Sequence, residues 1–441
     1  MTSSYLAGPL LTDLYEMTMA AGYWRHNLND KATFSVFVRN PDHKRNYFVA
    51  AGLAALLAEL EAYRFRREDI RYLQQLKLFD TNFLDALRRL RFTGDIHALP
   101  EGTLFFPDEP VLEISAPLIE AQLIETLVLN TIGIATLIAT KAARSVHAAA
   151  GRPLVDFALR RTHGSEAGDQ VARSTYIAGF SSTSNVRAGQ RFGIPVAGTM
   201  AHAFVTAFPS ELDAFRAYAA TFPQHTIFLI DTYDTLAGAR NAATVALEMR
   251  ARDQRALGVR LDSGDMIALS RGVRRILDEA GLTEMKLYAS SSFDEFKITE
   301  IIQSGAPIDA FGVGTKVGVS ADAPYLDIVY KLVQLGKRPI RKLSSNKVTL
   351  AGRKQIFRHD DPHGVFQEDI LACREEKRAA GEPLLEPVMR NGQRHTPEAS
   401  LVDIRKRFAK QFGCLDPRYK TIDSHIAYPV RLSARLKALQ K

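Results

Sequence analysis

The chain has 441 residues, 46% of them hydrophobic and 24% charged, and a net charge of +8 from 57 basic and 49 acidic side chains. That composition excludes a disordered or fibrous protein, and the length exceeds what one ordinary core supports. Two cysteines, Cys373 and Cys414, form no CxxC, which argues against a disulfide scaffold or a zinc cluster and points to a reducing compartment.

In chain order, residues 10–24 read as an amphipathic helix carrying Asp13 and Tyr15, with Thr12 or Asp13 as its cap. Ala32–Arg39 alternates as a half-buried strand, 47–60 and 81–90 read as helices, and 92–115 reads as short β-structure. A long helix is expected from about Ile119 to Ala149. Its uncharged apolar part, Thr126–Thr140, is too short to span a bilayer, and no basic region followed by an apolar core marks a signal peptide. From Pro153 the texture changes to short apolar runs, LVDFA, IPVAGTM, TIFLID, GVRLD, MKLYASSS and DAFGVGT, separated by helical segments. Such alternation predicts parallel βαβ units, and six or more strands favour a barrel over an open sheet. Phe157, His202, Asp231, Arg260, Asp262, Ser290 and Gly312 fall at the C-terminal ends of these runs, where barrel sites are built. The tail after His359 reads as polar and helical.

Several clusters carry candidate chemistry. Arg260 and Asp262 share one strand face; a guanidinium pairs with carboxylate or phosphate, and a carboxylate holds ribose hydroxyls or magnesium. An internal Arg–Asp pair explains the same residues equally well. Gly312 and Gly314 in DAFGVGT allow backbone N–H groups close to a phosphate, or simply make a tight turn. Gly336–Arg358 is the densest basic run, but Phe357 is its only aromatic, which is thin for stacking bases. An RNA- or polyphosphate-binding barrel without catalysis therefore stays open as an alternative.

The stretch from LVDFALRRTHG through GFSSTSNV to FGIPVAGTMAHAFV resembles the nicotinate phosphoribosyltransferase family, as do LLTDLYEMTMAAGYW, GVRLDSGDM, APIDAFGVGTKVG and YKLVQLGKRPIRKLSSNKVTLAGRKQIFR. The resemblance implies an α/β fold of the type II phosphoribosyltransferases. That fold is an irregular TIM-like barrel (151–358) with an N-terminal α+β domain (1–118, joined by a helix at 119–150) and a helical tail (359–441) packing back. It implies transfer of phosphoribose from 5-phosphoribosyl 1-diphosphate to nicotinate, ATP as co-substrate, Mg2+ held through the substrate phosphates, a cytoplasmic homodimer with a shared site, and neither nucleic acid nor membrane as partner. His202 would be phosphorylated, with Arg260 and Asp262 catalytic. Tyr15, Phe157, Ser184 and Arg260 would hold nicotinate. Arg160, Arg161, Thr199, Asp231, Gly312, Gly314 and Thr315 would hold the phosphoribosyl and phosphate groups, and Lys331 and Lys342-Leu343-Ser344 would face phosphate. A neutral Ser184 beside Arg260 favours nicotinic acid over nicotinamide, because an acid there would repel a carboxylate; sister enzymes using nicotinamide or quinolinate are the alternatives. Relatives carry Asn and Asp where this chain has Ser291 and Ser292, and often a serine where it has Ala203.

Overall fold

The computed structural model describes residues 7–39, 45–342, 349–377 and 381–441. The chain divides into two compact units, Met1–Thr140 with Tyr325–Lys441, and Lys141–Pro324. The boundary falls within the helix Glu125–Ala148, which is long and apolar enough to cross a membrane; 72% of its most apolar window is buried in the protein, as in a core helix.

In the first unit, Lys31–Val38 is a strand, but it is buried on both faces beyond Lys31 rather than on one. It lies inside a seven-stranded sheet, antiparallel to Pro110–Pro117 on one side and Ile328–Leu335 on the other. The second pairing explains why the second unit ends at Pro324 and not at 358: Ile328–Leu335 takes its ladder partners from Lys31–Val38.

The tail is not mainly helical. The strand Lys354–Asp360 leads into it; among its described residues it contains the strands Phe366–Cys373, Glu386–Arg390 and Val430–Leu432, and helices only at Leu401–Cys414 and Ala434–Leu439, besides one short 3-10 turn. Buried ion pairs disguised these strands as polar sequence. Arg358 lies 2.6 Å from Asp369 and Lys354 lies 3.0 Å from Glu113, all four side chains almost fully buried. Two cations of the basic run are thus core groups, which removes them from any RNA-binding surface.

The second unit is built on a six-stranded parallel sheet in the order Ser182–Thr183, Leu154–Asp156, Ala310–Val313, Lys286–Ser290, Gly258–Leu261, Ile227–Leu229. Neighbours in the sheet are neighbours in sequence, except that the first strand pairs with the last. That one pairing brings Asp156 beside Val313. The helices Glu211–Thr221, Thr235–Arg250, Met266–Glu279 and Glu295–Gln303 alternate with the strands as expected. IPVAGTM, however, is not a strand. Pro195 has no N–H to donate, and only an isolated bridge joins Val196 to Thr183.

One half-buried imidazole gives the first unit a pH signature. His97, on the strand Asp95–Ala98, has a buried Nδ1 with no partner. Burial, reinforced by Arg374, lowers its pKa from the ordinary 6.5 to about 4. The folded state therefore binds fewer protons than the unfolded state between these values, so stability is full above 6.5 and falls as the pH drops toward 4. Urea unfolding across that window is expected to show wild type losing stability relative to His97→Gln; parallel curves would contradict the assignment.

Candidate functional site

The polar edge of the parallel sheet is assembled from strand ends. The first strand stops at Asp156, a buried carboxylate whose pKa burial raises. Its two oxygens accept from the Ala158 N–H at 2.8 Å and from the Thr183 hydroxyl at 2.7 Å, tying the first two strands together at their ends. The next residue, Phe157, donates its N–H to the Val313 carbonyl at 2.8 Å. Its ring lies over Gly312: a Cβ at Gly312 would stand 2.5 Å from the ring, so only glycine admits it. Arg160 and Arg161 follow on an exposed 3-10 turn.

Arg260 is the charged centre of this edge. Its flanking residues Val259 and Leu261 are fully buried, which fixes the strand and turns Arg260 to the opposite face. The guanidinium carbon stands 5.9 Å from the Phe157 ring centroid, and Nη1 donates to the Thr199 hydroxyl. Nε is buried and has no partner. Burial lowers the guanidinium pKa, opposed by Asp262 and Asp231, while nearby Arg160 lowers it further. Thr199 therefore holds Arg260, which accounts for its hydroxyl differently from the phosphate role expected of it.

Asp262 and Asp231 are coupled. The Asp262 N–H donates to Asp231 Oδ2 at 3.1 Å, and the Ser263 hydroxyl donates to the same oxygen at 2.5 Å. Asp231 Oδ1 is buried without a partner. Asp262 Oδ1 accepts from the Ser290 hydroxyl, and its Oδ2 lies 3.7 Å from His202 Nε2. His202 opens the short helix His202–Thr206, anchored by fully buried Val205 and by Phe204, whose ring centroid lies 5.6 Å from that of Tyr218. The imidazole side chain is 43% exposed, and Nδ1 lies 3.2 Å from the Thr232 hydroxyl.

Ser184 sits on a turn held at both ends: its N–H donates to the Asp156 carbonyl at 2.8 Å, and Asn185 donates to buried Asp169 at 3.0 Å while capping the helix Val186–Phe192. Gly314 and Thr315 lie just past the last strand, where Thr315 begins the single helical turn Thr315–Gly318.

The second unit thus brings together Phe157, His202, Asp231, Arg260, Asp262 and Ser290. Gly312 lies under the Phe157 ring, and Thr199 is bonded to Arg260. Tyr15 lies on the helix Leu14–Arg25 of the first unit, 48% exposed, its hydroxyl pushed upward in pKa by partial burial and by Glu125. Leu343 and Ser344 lie outside the described residues. Asp156, Asp169 and Thr232 were missed by sequence reasoning. Asp156 was visible as an acid inside an apolar run, and Thr232 as a hydroxyl following the acid at a strand end. The Ser292 departure has a backbone aspect: its φ is +46°, a left-handed conformation that Asn and Asp tolerate better than Ser.

Family models for the nicotinate phosphoribosyltransferase N-terminal domain, the nicotinate phosphoribosyltransferase family and its C-terminal domain match residues 10–133, 153–367 and 377–440. A nicotinate phosphoribosyltransferase of Mycobacterium tuberculosis is 47% identical over 97% of this chain and 92% of its own length. One of Bacillus subtilis is 46% identical over 79% of this chain and 72% of its own length. The crystal structure of the human nicotinic acid phosphoribosyltransferase superposes with a TM-score of 0.88 at 32% identity, covering 97% of this chain and 99% of that one.

Replacing Gly312 with Ala should displace the Phe157 ring and cost about 1–3 kcal/mol in urea unfolding. Gly198→Ala, which meets nothing within 4 Å, is the control and should stay within about 0.5 kcal/mol of wild type.

Proposed function

The chain belongs to the nicotinate phosphoribosyltransferase family, and we propose that the sheet-edge site joins nicotinate to 5-phosphoribosyl 1-diphosphate with coupled ATP hydrolysis, in the salvage of nicotinate to NAD. The observation that carries this reading is Arg260: a cation with a buried, unpartnered Nε beside an aromatic ring, next to two carboxylates and an imidazole. The sheet order, with first and last strands paired, supports an irregular TIM-like barrel as the scaffold.

The pyridine ring lies on Phe157 with its carboxylate turned to Arg260 and Ser184. Its nitrogen lone pair needs no general base. It attacks C1′ of the ribose while the C1′–O bond to diphosphate breaks and the electron pair leaves with diphosphate. Catalysis is then a matter of alignment and of charge placed where charge develops. Asp262 stabilises the oxocarbenium-like ribose and holds its hydroxyls, Arg160 and Arg161 meet the departing diphosphate, and the Gly312, Gly314 and Thr315 segment takes the 5′-phosphate. Among the described residues no group of three His, Cys, Asp or Glu side chains forms a metal cage, yet Asp231 Oδ1 is free to share a magnesium ion with substrate phosphates. Bound there, magnesium would neutralise the leaving diphosphate. His202, partly exposed, is the phosphoryl acceptor from ATP. A homodimer, with Tyr15 of a second copy completing the base slot, is part of the proposal.

Purified protein supplied with 5-phosphoribosyl 1-diphosphate, Mg2+ and nicotinate, nicotinamide or quinolinate, with and without ATP, tests the reading. Nicotinate mononucleotide should form from nicotinate alone, and His202→Ala should lose the ATP stimulation. Product from nicotinamide would overturn the base assignment, and no product from any base would overturn the whole reading. Ser184→Asp is expected to raise the KM for nicotinate about tenfold or more through repulsion of its carboxylate; an unchanged KM would remove Ser184 from the slot.

A further inference from the structure

Resting on that reading, we propose that Thr232 is a positioning residue for His202: its hydroxyl and the Asp262 carboxylate together fix the imidazole in the tautomer with the proton on Nε2 and the lone pair on Nδ1. The two ring nitrogens face different groups. Nδ1 lies 3.2 Å from the Thr232 hydroxyl, which can donate or accept, whereas Nε2 lies 3.7 Å from Asp262 Oδ2, a carboxylate oxygen that accepts. A lone pair on Nε2 would point at a carboxylate; a proton there is attracted to it. The hydroxyl then has one role left, donation to Nδ1.

Asp262 is itself held in place, by Ser290 on Oδ1 and through its own N–H by Asp231. Thr232 follows Asp231 in the chain, so one strand end supplies both the brace for Asp262 and the hydroxyl for His202. Arg260, bonded to Thr199, and Tyr218, part of the aromatic packing under the His202 helix, also lie near this edge. Neither contacts a ring nitrogen of His202 among the described hydrogen bonds and ion pairs.

The tautomer assigns the chemistry. The Nδ1 lone pair attacks the γ-phosphorus of ATP; the Nδ1–P bond forms as the bond from phosphorus to the bridging oxygen breaks, and that electron pair leaves with ADP. The ring becomes a phosphorylated imidazolium whose Nε2–H stays against Asp262, so no proton has to move in this step. The Thr232 hydroxyl turns from Nδ1 to a phosphoryl oxygen. Water attack on phosphorus later returns the electron pair to Nδ1.

Nitrogen-detected NMR on protein with 15N-labelled histidine, the His202 signals identified by their loss in His202→Ala, tests the tautomer in the free protein at a pH where the imidazole is neutral. The expected result is a pyridine-type Nδ1 and a pyrrole-type Nε2 in wild type and in Thr232→Ser, with the preference weakened in Thr232→Val. The reverse assignment in wild type, or an unaltered spectrum in Thr232→Val, would overturn the proposal. In the enzyme, Thr232→Val should lower ATP hydrolysis about tenfold, the worth of one hydrogen bond, with Thr232→Ser restoring it and the KM for nicotinate unmoved. ATP hydrolysis unchanged by Thr232→Val would also overturn it. If ATP stimulation survives in His202→Ala, the phosphoenzyme reading falls on its own, and the NMR result still decides the role of Thr232.

Discussion

A guanidinium partly withdrawn from water beside an aromatic ring is the constraint on which the site depends. Burial of a cation is costly unless it is paired, and Arg260 is only partly paired in the chain itself. Thr199 takes Nη1, Asp262 and Asp231 supply opposing charge, and Nε is left without a partner. The planar fork of arginine suits a carboxylate held in two places, which a lysine ammonium could not match. The same logic fixes Gly312, since the Phe157 ring occupies the space that any side chain there would need. An aromatic floor and a cation with spare donors suit a flat acid.

Everything else in the second unit serves to hold that arrangement still. The pairing of Leu154–Asp156 with Ala310–Val313 sets Phe157 over Gly312, although the two are far apart in sequence. Asp156 then reaches across to Thr183, and Asn185 reaches Asp169, so the Ser184 turn is fixed from both sides. These buried polar links are satisfied at each step, which rigidifies an edge that would otherwise be a set of loose loop ends. Asp231 braces the backbone of Asp262 through one oxygen and leaves the other buried without a partner.

Much of this was legible because the signals are local. Short apolar runs ending in Phe157, Arg260 or Gly312 announce strands and their polar ends without reference to any partner. Where long-range pairing decides the outcome, the sequence was silent. Lys31–Val38 looked half-buried because its alternation was visible while its two flanking strands, one of them near residue 330, were not. The tail looked helical and polar although a charged residue such as Asp369 is buried in it, paired with Arg358 on the neighbouring strand, just as Lys354 before it is buried against Glu113. Thr232 escaped notice for the same reason: a threonine gains a role only through the histidine that folding brings to it.

The most direct measurement is a crystal structure with nicotinate mononucleotide bound. The pyridine ring should lie on Phe157 with its carboxylate within about 3 Å of the Arg260 guanidinium, and the phosphate should lie against Gly312 and Gly314. A ring bound away from Phe157, or a carboxylate turned to solvent while Arg260 keeps only its protein partners, would contradict the central role given to Arg260.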